Sequence, residues 1–345
     1  MVDPDVVRAL PKAELHQHLD GSVRPATAVE LAEAVGMRLT LDEATARMVG
    51  PEHCTDQAQL LGYFDLPIAL LQTASALERV ADELVADLAA DGVRYAEIRW
   101  APRLHLEREL SVDTVIEAVA TGVSHAVARL GDDAPLVGLI VTAMRQHPPA
   151  ANAELARTAG AFGSPIVGFD LAGPESAWPA PPHAIAFVTA REAGLALTAH
   201  AGEVPGPQHV REVLDFGVRR VAHGATAIDD PSLLELLRAR DVTLDLCPTS
   251  NVQAGLFSDL AAHPLAALHR AGVSVTISTD DRTVTGTTLS EEMARATTAL
   301  ELSRAELAEI ALNGFARGFA PAPLLAPLHE EAVQAWDAWR RGSIS

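Results

Sequence analysis

Eight short apolar segments occur along the chain, and segments with the periodicity of helices separate most of them. This alternation is typical of repeated βα units, in which each strand belongs to a parallel sheet. Because eight parallel strands can close into a barrel, the sequence predicts an α/β fold, a (β/α)8 TIM barrel. The predicted strands are 13–19, 93–99, 136–143, 166–171, 195–200, 219–223, 243–247 and 273–278, and the clearest helices between them are 77–90, 114–128, 207–216 and 231–238.

Two segments add helices to this plan, one after the first strand and one at the C-terminus. The connection 22–91 holds several helical patterns, and 303–340 reads as two or three packing helices broken by Pro321, Pro323 and Pro327. Insertions after a strand's carboxyl end can build lids over a site. No linker divides residues 1–345, so a single domain is expected. The sequence leaves open whether the apolar residues of the insertion form a lid or a second packed layer. These residues are Leu60, Leu61, Tyr63, Phe64, Leu66, Ile68, Leu70 and Leu71.

Composition restricts the setting and the partners of such a barrel. No apolar run reaches the ~18 residues that a membrane span requires, and the first residues lack the regions of a secretion signal. The two cysteines, Cys54 and Cys247, are too few for a disulfide framework, which favours the cytoplasm. The net charge of −20 would repel a polyanion, so no nucleic acid is expected as a partner. No membrane partner is expected either, and the sequence leaves monomer and homo-oligomer open.

The first predicted strand ends with two histidines, His16 and His18, followed by Asp20 and Gly21. Side chains on a strand alternate between faces, so the two histidines point the same way and can bind one metal ion. Asp20 has the same parity, and Gly21 allows the chain to turn. A His-x-His pair also arises by chance, so a metal site requires partners elsewhere in the chain.

Three later strands end in the same manner. His200 closes the fifth strand with Glu203 three residues on, His223 closes the sixth, and Asp280 and Asp281 follow the eighth. Each has a structural alternative, such as a buried histidine bonded to a carbonyl or an aspartate that caps a helix. Two carboxylates against an apolar strand are costly, however, unless they bind a cation or hydrogen-bond donors. Four strands that end this way at one barrel face indicate a functional site.

These strand ends provide one set of metal ligands, formed by His16, His18, His200 and Asp280. Three imidazoles and one carboxylate suit a zinc ion with a position left for water. A bound metal can lower the pKa of water from about 15.7 to about 7, which generates a nucleophile at neutral pH. The set therefore indicates a metal-dependent hydrolase.

With these residues in place, the chain is similar to the adenosine deaminase family, whose motifs it carries in order over nearly its whole length. The bacterial branch is favoured by residues 247–253 and by Asp281-Arg282, where animal enzymes have Asp-Pro. The motifs are 11–21 (PKAELHQHLDG), 170–173 (DLAG), 200–203 (HAGE), 221–224 (VAHG), 247–251 (CPTSN) and 278–281 (STDD).

The resemblance implies a role for each residue. It implies one zinc ion held by His16, His18, His200 and Asp280, with His18 also next to the substrate. It further implies that hydroxide adds to purine C6 while an acid neutralises the charge that forms at N1. Glu203 and Asp281 would then start protonated, which burial beside other carboxylates favours. The remaining roles fall to Glu203 as the acid at N1, His223 as the group that orients and deprotonates water, Asp281 at N7, the Gly173 backbone N–H at N3, and Asp20 at the ribose hydroxyls.

Several alternatives remain beside this prediction. A binuclear hydrolase needs a carboxylated lysine on a middle strand, and Lys12, the only lysine, lies ahead of the first strand's ligands. A non-catalytic barrel that binds a purine or a partner protein would be favoured by loss of Glu203 or His223, and both are present.

Among the possible substrates of a deaminase, the first candidate is adenosine or 2′-deoxyadenosine. The products would be inosine or 2′-deoxyinosine and ammonia, in purine salvage. The second candidate is 6-aminodeoxyfutalosine, an adenosine with an aryl ketone at the 5′ end of its sugar, and free adenine is the third. Asp20 in His-Leu-Asp-Gly favours a substrate with a sugar over adenine, and the substituent of the 5′ carbon stays open.

Overall fold

The strands form one barrel with the predicted topology. A computed structural model describes residues 2–342. All eight strands lie in sequence order and neighbouring strands are parallel. The TIM barrel prediction is confirmed, and each predicted strand end lies within one residue of the observed end. The strands are β1 (Lys12–His18), β2 (Val93–Trp100), β3 (Leu136–Met144), β4 (Ile166–Ala172), β5 (Ala196–Ala201), β6 (Arg220–His223), β7 (Thr243–Leu246) and β8 (Ser274–Ile277).

Helices follow the strands around the outside, and each of the four predicted helices is present. Among residues 2–342, no helix has both the length and the apolar character needed to cross a membrane. The helices are α1 (Pro4–Arg8), α2 (Pro25–Ala34), α3 (Leu41–Met48), α4 (Gln57–Leu61), α5 (Asp65–Leu70), α6 (Ala74–Ala90), α7 (Val112–Leu130), α8 (Pro149–Phe162), α9 (Ala184–Glu192), α10 (Gln208–Leu214), α11 (Pro231–Ala239), α12 (Pro248–Gln253), α13 (Leu265–Arg270), α14 (Arg282–Thr285), α15 (Leu289–Ala299), α16 (Arg304–Ala316) and α17 (Ala322–Arg340).

The barrel closes next to the predicted metal ligands. Beyond β8, the backbone of Asp280 pairs with β1: the His18 N–H donates to the Asp280 carbonyl (2.8 Å), and the Asp280 N–H donates to the His16 carbonyl (3.0 Å). These two bonds hold the end of β8 against the end of β1. Residues that are 264 positions apart in sequence, such as His16 and Asp280, therefore share one edge of the barrel.

The tail contains two helices, and the expectation that prolines break it was partly wrong. Pro321 precedes α17 and Pro323 lies in its first turn, where a missing backbone N–H costs no helical hydrogen bond. Pro327 lies inside the helix and does not end it. Burial of Trp336, whose indole N–H donates to the Pro11 carbonyl at 2.7 Å, anchors the helix against the barrel.

The insertion after β1 consists of α2 to α5, followed by α6. Leu66, Leu70 and Leu71 are buried in the main core of the protein. Leu60 and Phe64, in contrast, line a cavity at the carboxyl ends of the strands. The apolar residues of the insertion thus pack against the barrel in part and line the cavity in part.

Candidate active site

Four ligand atoms converge at the carboxyl ends of β1, β5 and β8. The Nε2 atoms of His16, His18 and His200 lie 3.1–3.3 Å apart. One carboxylate oxygen of Asp280 lies 3.0 Å from Nε2 of His16 and 3.4 Å from Nε2 of His18. The structure therefore brings together all four predicted metal ligands, as one group whose ligand atoms lie within 4.8 Å of one another.

The geometry of these four atoms fits a divalent ion. A tetrahedral zinc ion with Zn–N distances of about 2.0–2.1 Å places its ligand atoms about 3.3–3.4 Å apart. Three imidazole nitrogens at such distances cannot all be paired by hydrogen bonds, because each neutral ring has one N–H and one lone pair. A cation at the centre of the set would engage all of these lone pairs.

Asp170 at the end of β4 orients the His200 ring. Its carboxylate lies 3.0–3.1 Å from Nδ1 of His200, which leaves Nε2 to face the other ligands. It also accepts hydrogen bonds from Arg99 (3.3 Å) and Thr142 (3.2 Å). Burial alone would raise the pKa of Asp170, but the charges of His200 and Arg99 outweigh burial and hold the pKa well below its usual value. The sequence signal for this role was a lone carboxylate in an apolar strand.

Two site residues have a strained backbone. His223 and Asp280 have φ values of 65° and 66°, a region that residues other than glycine seldom adopt. Asp280 is held there by its pairing with β1 and by Ser250, whose hydroxyl donates to the second carboxylate oxygen at 2.7 Å. Strain of this kind persists only where surrounding contacts fix the conformation, and here it fixes the direction of two functional side chains.

Glu203 and His223 face each other beside the metal ligands. Their closest atoms, the Glu203 Oε2 and the His223 Nε2, are 3.4 Å apart, and the same nitrogen is 3.7 Å from Asp280. This Nε2 has no hydrogen-bond partner among residues 2–342. A buried polar atom without a partner, next to the predicted acid and a predicted metal ligand, indicates that a substrate or water binds there.

Glu175 positions the loop that carries Glu203, and the sequence interpretation did not identify it. Its buried carboxylate accepts the backbone N–H groups of Gly202 (2.8 Å) and Glu203 (3.0 Å). The Glu175 N–H in turn donates to the side chain of Gln57 on α4 at 3.2 Å. These bonds connect the insertion, the loop after β4 and the predicted acid.

Asp281 and Asp20 lie at the other side of the site. Burial, followed by the charges of Asp280, Asp20 and Glu203, raises the pKa of Asp281 well above that of an ordinary carboxyl group. Burial likewise raises the pKa of Asp20 to about 6. A protonated Asp281 can donate a hydrogen bond, as its predicted role at N7 requires.

The expectation that Asp20 continues the strand was wrong, while the chain does turn at Gly21 as expected. Asp20 begins a 3-10 helix (Asp20–Ser22) and is not the next residue of the strand, although it still reaches the cavity. Gly21 is needed because a Cβ atom at this position would lie 1.8 Å from the carboxylate of Asp281. The chain does turn at Gly21, in this 3-10 helix, but the close approach of Asp281 is what requires glycine.

A cavity of about 320 Å³ joins these groups. One wall is largely apolar and comes from the insertion, with Leu60, Leu61, Phe64 and Ile68. Among the described residues, the lining includes no lysine or arginine. Seven predicted site residues line this cavity, namely His18, Asp20, Gly173, His200, Glu203, Asp280 and Asp281.

Comparison with known proteins agrees with the motif series. The family model described as adenosine deaminase matches residues 11–335. The chain belongs to the adenosine deaminase family. An adenosine deaminase from Enterococcus faecalis is 37% identical over 316 residues, which cover 91% of this chain and 93% of that protein. The sequence-based family assignment is confirmed, and this deaminase is a hydrolytic enzyme that acts on C–N bonds.

Solved structures of similar fold include several purine-related proteins. An adenine deaminase from Arthrobacter aurescens has a TM-score of 0.87 and 29% identity, over 94% of this deaminase and 99% of that chain. An amidohydrolase from Burkholderia ambifaria with bound Zn has a TM-score of 0.89 and 26% identity, over 99% of this deaminase and 94% of that chain. Arabidopsis ADAL complexed with IMP has a TM-score of 0.85 and 26% identity, over 97% of this deaminase and 98% of that chain.

Proposed function

We propose that this deaminase converts adenosine and 2′-deoxyadenosine to inosine and 2′-deoxyinosine with release of ammonia. The observation that carries the proposal is the contact of Glu203 with the Nε2 of His223, beside the four ligand atoms. This Nε2 has no hydrogen-bond partner among residues 2–342. Glu203 and three of the four ligand residues, His18, His200 and Asp280, line one cavity. The relative from Enterococcus faecalis, which is named an adenosine deaminase, supports the same substrate class.

One zinc ion per chain is part of the proposal. His16, His18, His200 and Asp280 would hold it, and when bound it acts as a Lewis acid that activates water at neutral pH. The buried Nζ of Lys12 donates to the carbonyls of Val7, Arg8 and Leu10, at 3.1–3.3 Å. This lysine is therefore engaged away from the site and does not bridge two metals.

The protein's own side chains then bind the purine and move protons. Glu203 supplies a proton to N1 as negative charge enters the ring, and His223 orients the attacking water. Asp281, kept protonated by its raised pKa, donates to N7. The backbone N–H of Gly173 is assigned to N3, and a φ of 108° at Gly173 favours glycine there. A Cβ atom at that position would also lie 2.7 Å from the Gln146 side chain.

The sugar end of the cavity favours a nucleoside over a nucleotide. Asp20 lines the cavity, and no lysine or arginine of the described chain lines it to balance a phosphate charge. ADAL was solved with the nucleotide IMP, but the acidic lining here opposes that choice. An aryl ketone at the 5′ carbon, as in 6-aminodeoxyfutalosine, is a second candidate because Leu61, Phe64, Ile68 and Leu104 form an apolar wall.

A substrate panel tests the function. Purified protein is assayed with adenosine, 2′-deoxyadenosine, 6-aminodeoxyfutalosine and adenine, and ammonia release is recorded together with the ultraviolet change from adenine to hypoxanthine. Adenosine and 2′-deoxyadenosine should give the highest kcat/KM. A larger kcat/KM for adenine, the substrate named for the Arthrobacter aurescens protein, would refute the sugar-binding role of Asp20.

We expect one zinc ion in each chain, because one group of three histidines and one aspartate provides the ligands. Elemental analysis of the purified protein measures the metal content. Asp280→Ala should lose the ion, while Asp259→Ala, an exposed aspartate outside the site, should retain it. Two tightly bound ions in each wild-type chain would contradict the mononuclear mechanism.

We expect adenosine to be deaminated at least about a hundredfold faster than AMP, in kcat/KM. One close contact between Asp20 and a 5′-phosphate would cost ~3 kcal/mol, which corresponds to that factor. Asp20→Asn should narrow the difference by weakening nucleoside binding and removing the repulsion. Asp65→Asn is the control, because Asp65 also lines the cavity but is exposed and better screened. Equal turnover of AMP and adenosine by wild-type enzyme would show that Asp20 does not lie beside the 5′ carbon.

The remaining proposals concern the whole chain. Residues 1–345 would form one deaminase domain, with 22–91 as a lid over the cavity and 303–340 as packing helices. The enzyme would act in the cytoplasm on a small-molecule purine nucleoside.

A further inference from the structure

Gln57 is the first residue of α4, is 7% exposed and lines the cavity. We propose that Gln57 is a specificity-determining residue, whose amide nitrogen presents an N–H group to purine C2 and disfavours a 2-amino group there. The substrates would then be 6-aminopurine nucleosides whose C2 carries no hydrogen-bond donor. The inference deepens the deamination proposed above and rests on it.

The amide of Gln57 has a fixed orientation. The backbone N–H of Glu175 donates to it, with 3.2 Å between the nitrogen and Oε1 of Gln57. Because a backbone N–H can only donate, the atom that faces it must be the amide oxygen. If the amide were turned over, its NH2 group would meet this N–H. The polar group that Gln57 can offer to a ligand is therefore its amide nitrogen.

Gln57 lies close to the group assigned to purine N3. Gly173, Pro174 and Glu175 follow one another after β4, and Gly173 and Pro174 line the same cavity as Gln57. Proline has no N–H, so the N–H groups of Gly173 and Glu175 are consecutive donors of this loop. The first is assigned to N3, and the second binds Gln57. Two residues of extended chain span at most about 7 Å, which places Gln57 near the N3 donor.

The same loop connects Gln57 to the proposed acid at N1. Glu175 is buried, and its carboxylate accepts the backbone N–H of Glu203 at 3.0 Å. One residue therefore contacts Gln57 through its N–H and Glu203 through its side chain. In a purine, C2 is the ring atom bonded to both N1 and N3. A side chain that lies beside the groups assigned to N1 and N3 consequently faces C2.

An N–H group at this edge distinguishes the substituents of C2. The C2 hydrogen of adenosine leaves the amide free to keep a water molecule as its acceptor. A 2-amino group, as in 2,6-diaminopurine riboside, would displace that water and place two donors against each other. A buried donor left without an acceptor costs enough free energy to lower affinity about tenfold or more. Discrimination thus comes from the polar group that the disfavoured substrate leaves unpaired.

Deamination of two substrates measures this discrimination. In each, water adds to C6, the C6–N bond breaks and ammonia leaves, so adenosine gives inosine and 2,6-diaminopurine riboside gives guanosine. For wild-type protein, we expect kcat/KM for adenosine to be at least about tenfold higher. Gln57→Met keeps the length of the side chain and removes both polar atoms, so the two values should become about equal. Loss of the bond to Glu175 would slow both substrates alike and leave their ratio unchanged.

Two matched changes are the controls. Gln334→Met alters an exposed glutamine of α17, outside the cavity, and should leave both kcat/KM values at wild type. Gln146→Met alters the other glutamine of the cavity, whose Oε1 lies where a Cβ atom of Gly173 would point. The wild-type ratio should persist in Gln146→Met. If this change abolished the discrimination and Gln57→Met retained it, the assignment to Gln57 would be overturned.

Product binding tests the inference without catalysis. Inosine and guanosine differ only in the 2-amino group, and calorimetric titration of the zinc-loaded protein gives the Kd of each. Wild type should bind inosine at least about tenfold more tightly, and Gln57→Met should bind both about equally. Equal Kd values for wild type would overturn the role of Gln57. Failure to release ammonia from any 6-aminopurine would overturn the proposed function instead, and the two Kd values would still test Gln57.

Discussion

Glu203→Gln should fold, bind its metal and lose at least about a hundredfold of kcat. The amide is close in shape to the carboxyl group and can still hydrogen-bond near N1, but it cannot transfer a proton. Proton transfer by a positioned side chain is worth about 10²–10⁴-fold. The loss should appear in kcat and kcat/KM equally, because the interaction is made only in the transition state.

The matched control is Glu192→Gln, an equivalent change at an exposed position of α9. This variant should have wild-type kcat. Zinc content and the affinity for the product inosine should be unchanged in both variants, which would separate loss of chemistry from loss of the site. A Glu203→Gln enzyme with a tenth of the wild-type kcat would show that Glu203 does not carry the proton.

The barrel was predictable because its strands are buried on both faces. Such strands read as continuous apolar runs, and their ends are marked where a polar residue or glycine interrupts the run. Val93 and Leu136, for example, begin both a predicted and an observed strand. The tail was harder to predict, because a single proline such as Pro327 is tolerated when tertiary contacts hold the helix, and those contacts are not visible in local sequence.

The candidate site was predictable where its residues place a polar side chain, at a cost in free energy, in or at the end of an apolar strand. His16, His200 and Asp280 interrupt or end apolar strands, and all strand ends of a parallel barrel meet at one face. Glu175 and Asn251 gave no such signal. They lie in a loop and a short helix, and they lie within hydrogen-bond distance of Glu203 and His223, each 28 positions away along the chain. Only the folded backbone brings those pairs together.

Gly21 shows, in a single residue, the same limit of prediction from sequence. Its place after a strand favours a turn, and the sequence gives no reason to consider any other role. The structure shows that Asp281 occupies the space a side chain would need. The contact joins the ends of β1 and β8, so its cause lies 260 residues away in the sequence.

Asp170→Asn should weaken zinc binding about 10- to 100-fold and lower the free energy of unfolding by about 3–5 kcal/mol. The weaker binding follows because the carboxylate that orients His200 also raises the basicity of that ligand. The lower stability follows because Arg99, which is fully buried, would lose its charged partner. The amide nitrogen would also face a donor in either orientation, since one carboxylate oxygen accepts from Arg99 and Thr142 and the other accepts from the Leu171 N–H.

Asp245→Asn separates these two effects. Asp245 is equally buried in the barrel and pairs with Arg220 at 2.9 Å, but it makes no contact with a proposed zinc ligand through its side chain. Because Arg220 keeps its ion pair with Glu97, this change should lower stability by less than Asp170→Asn does and should leave zinc affinity unchanged. Competition with a chromophoric chelator measures the affinity, and urea unfolding of the metal-free protein measures the stability. If both variants weakened zinc binding equally, Asp170 would act only through general stability, and its bond to Nδ1 of His200 would have no specific role in holding the metal.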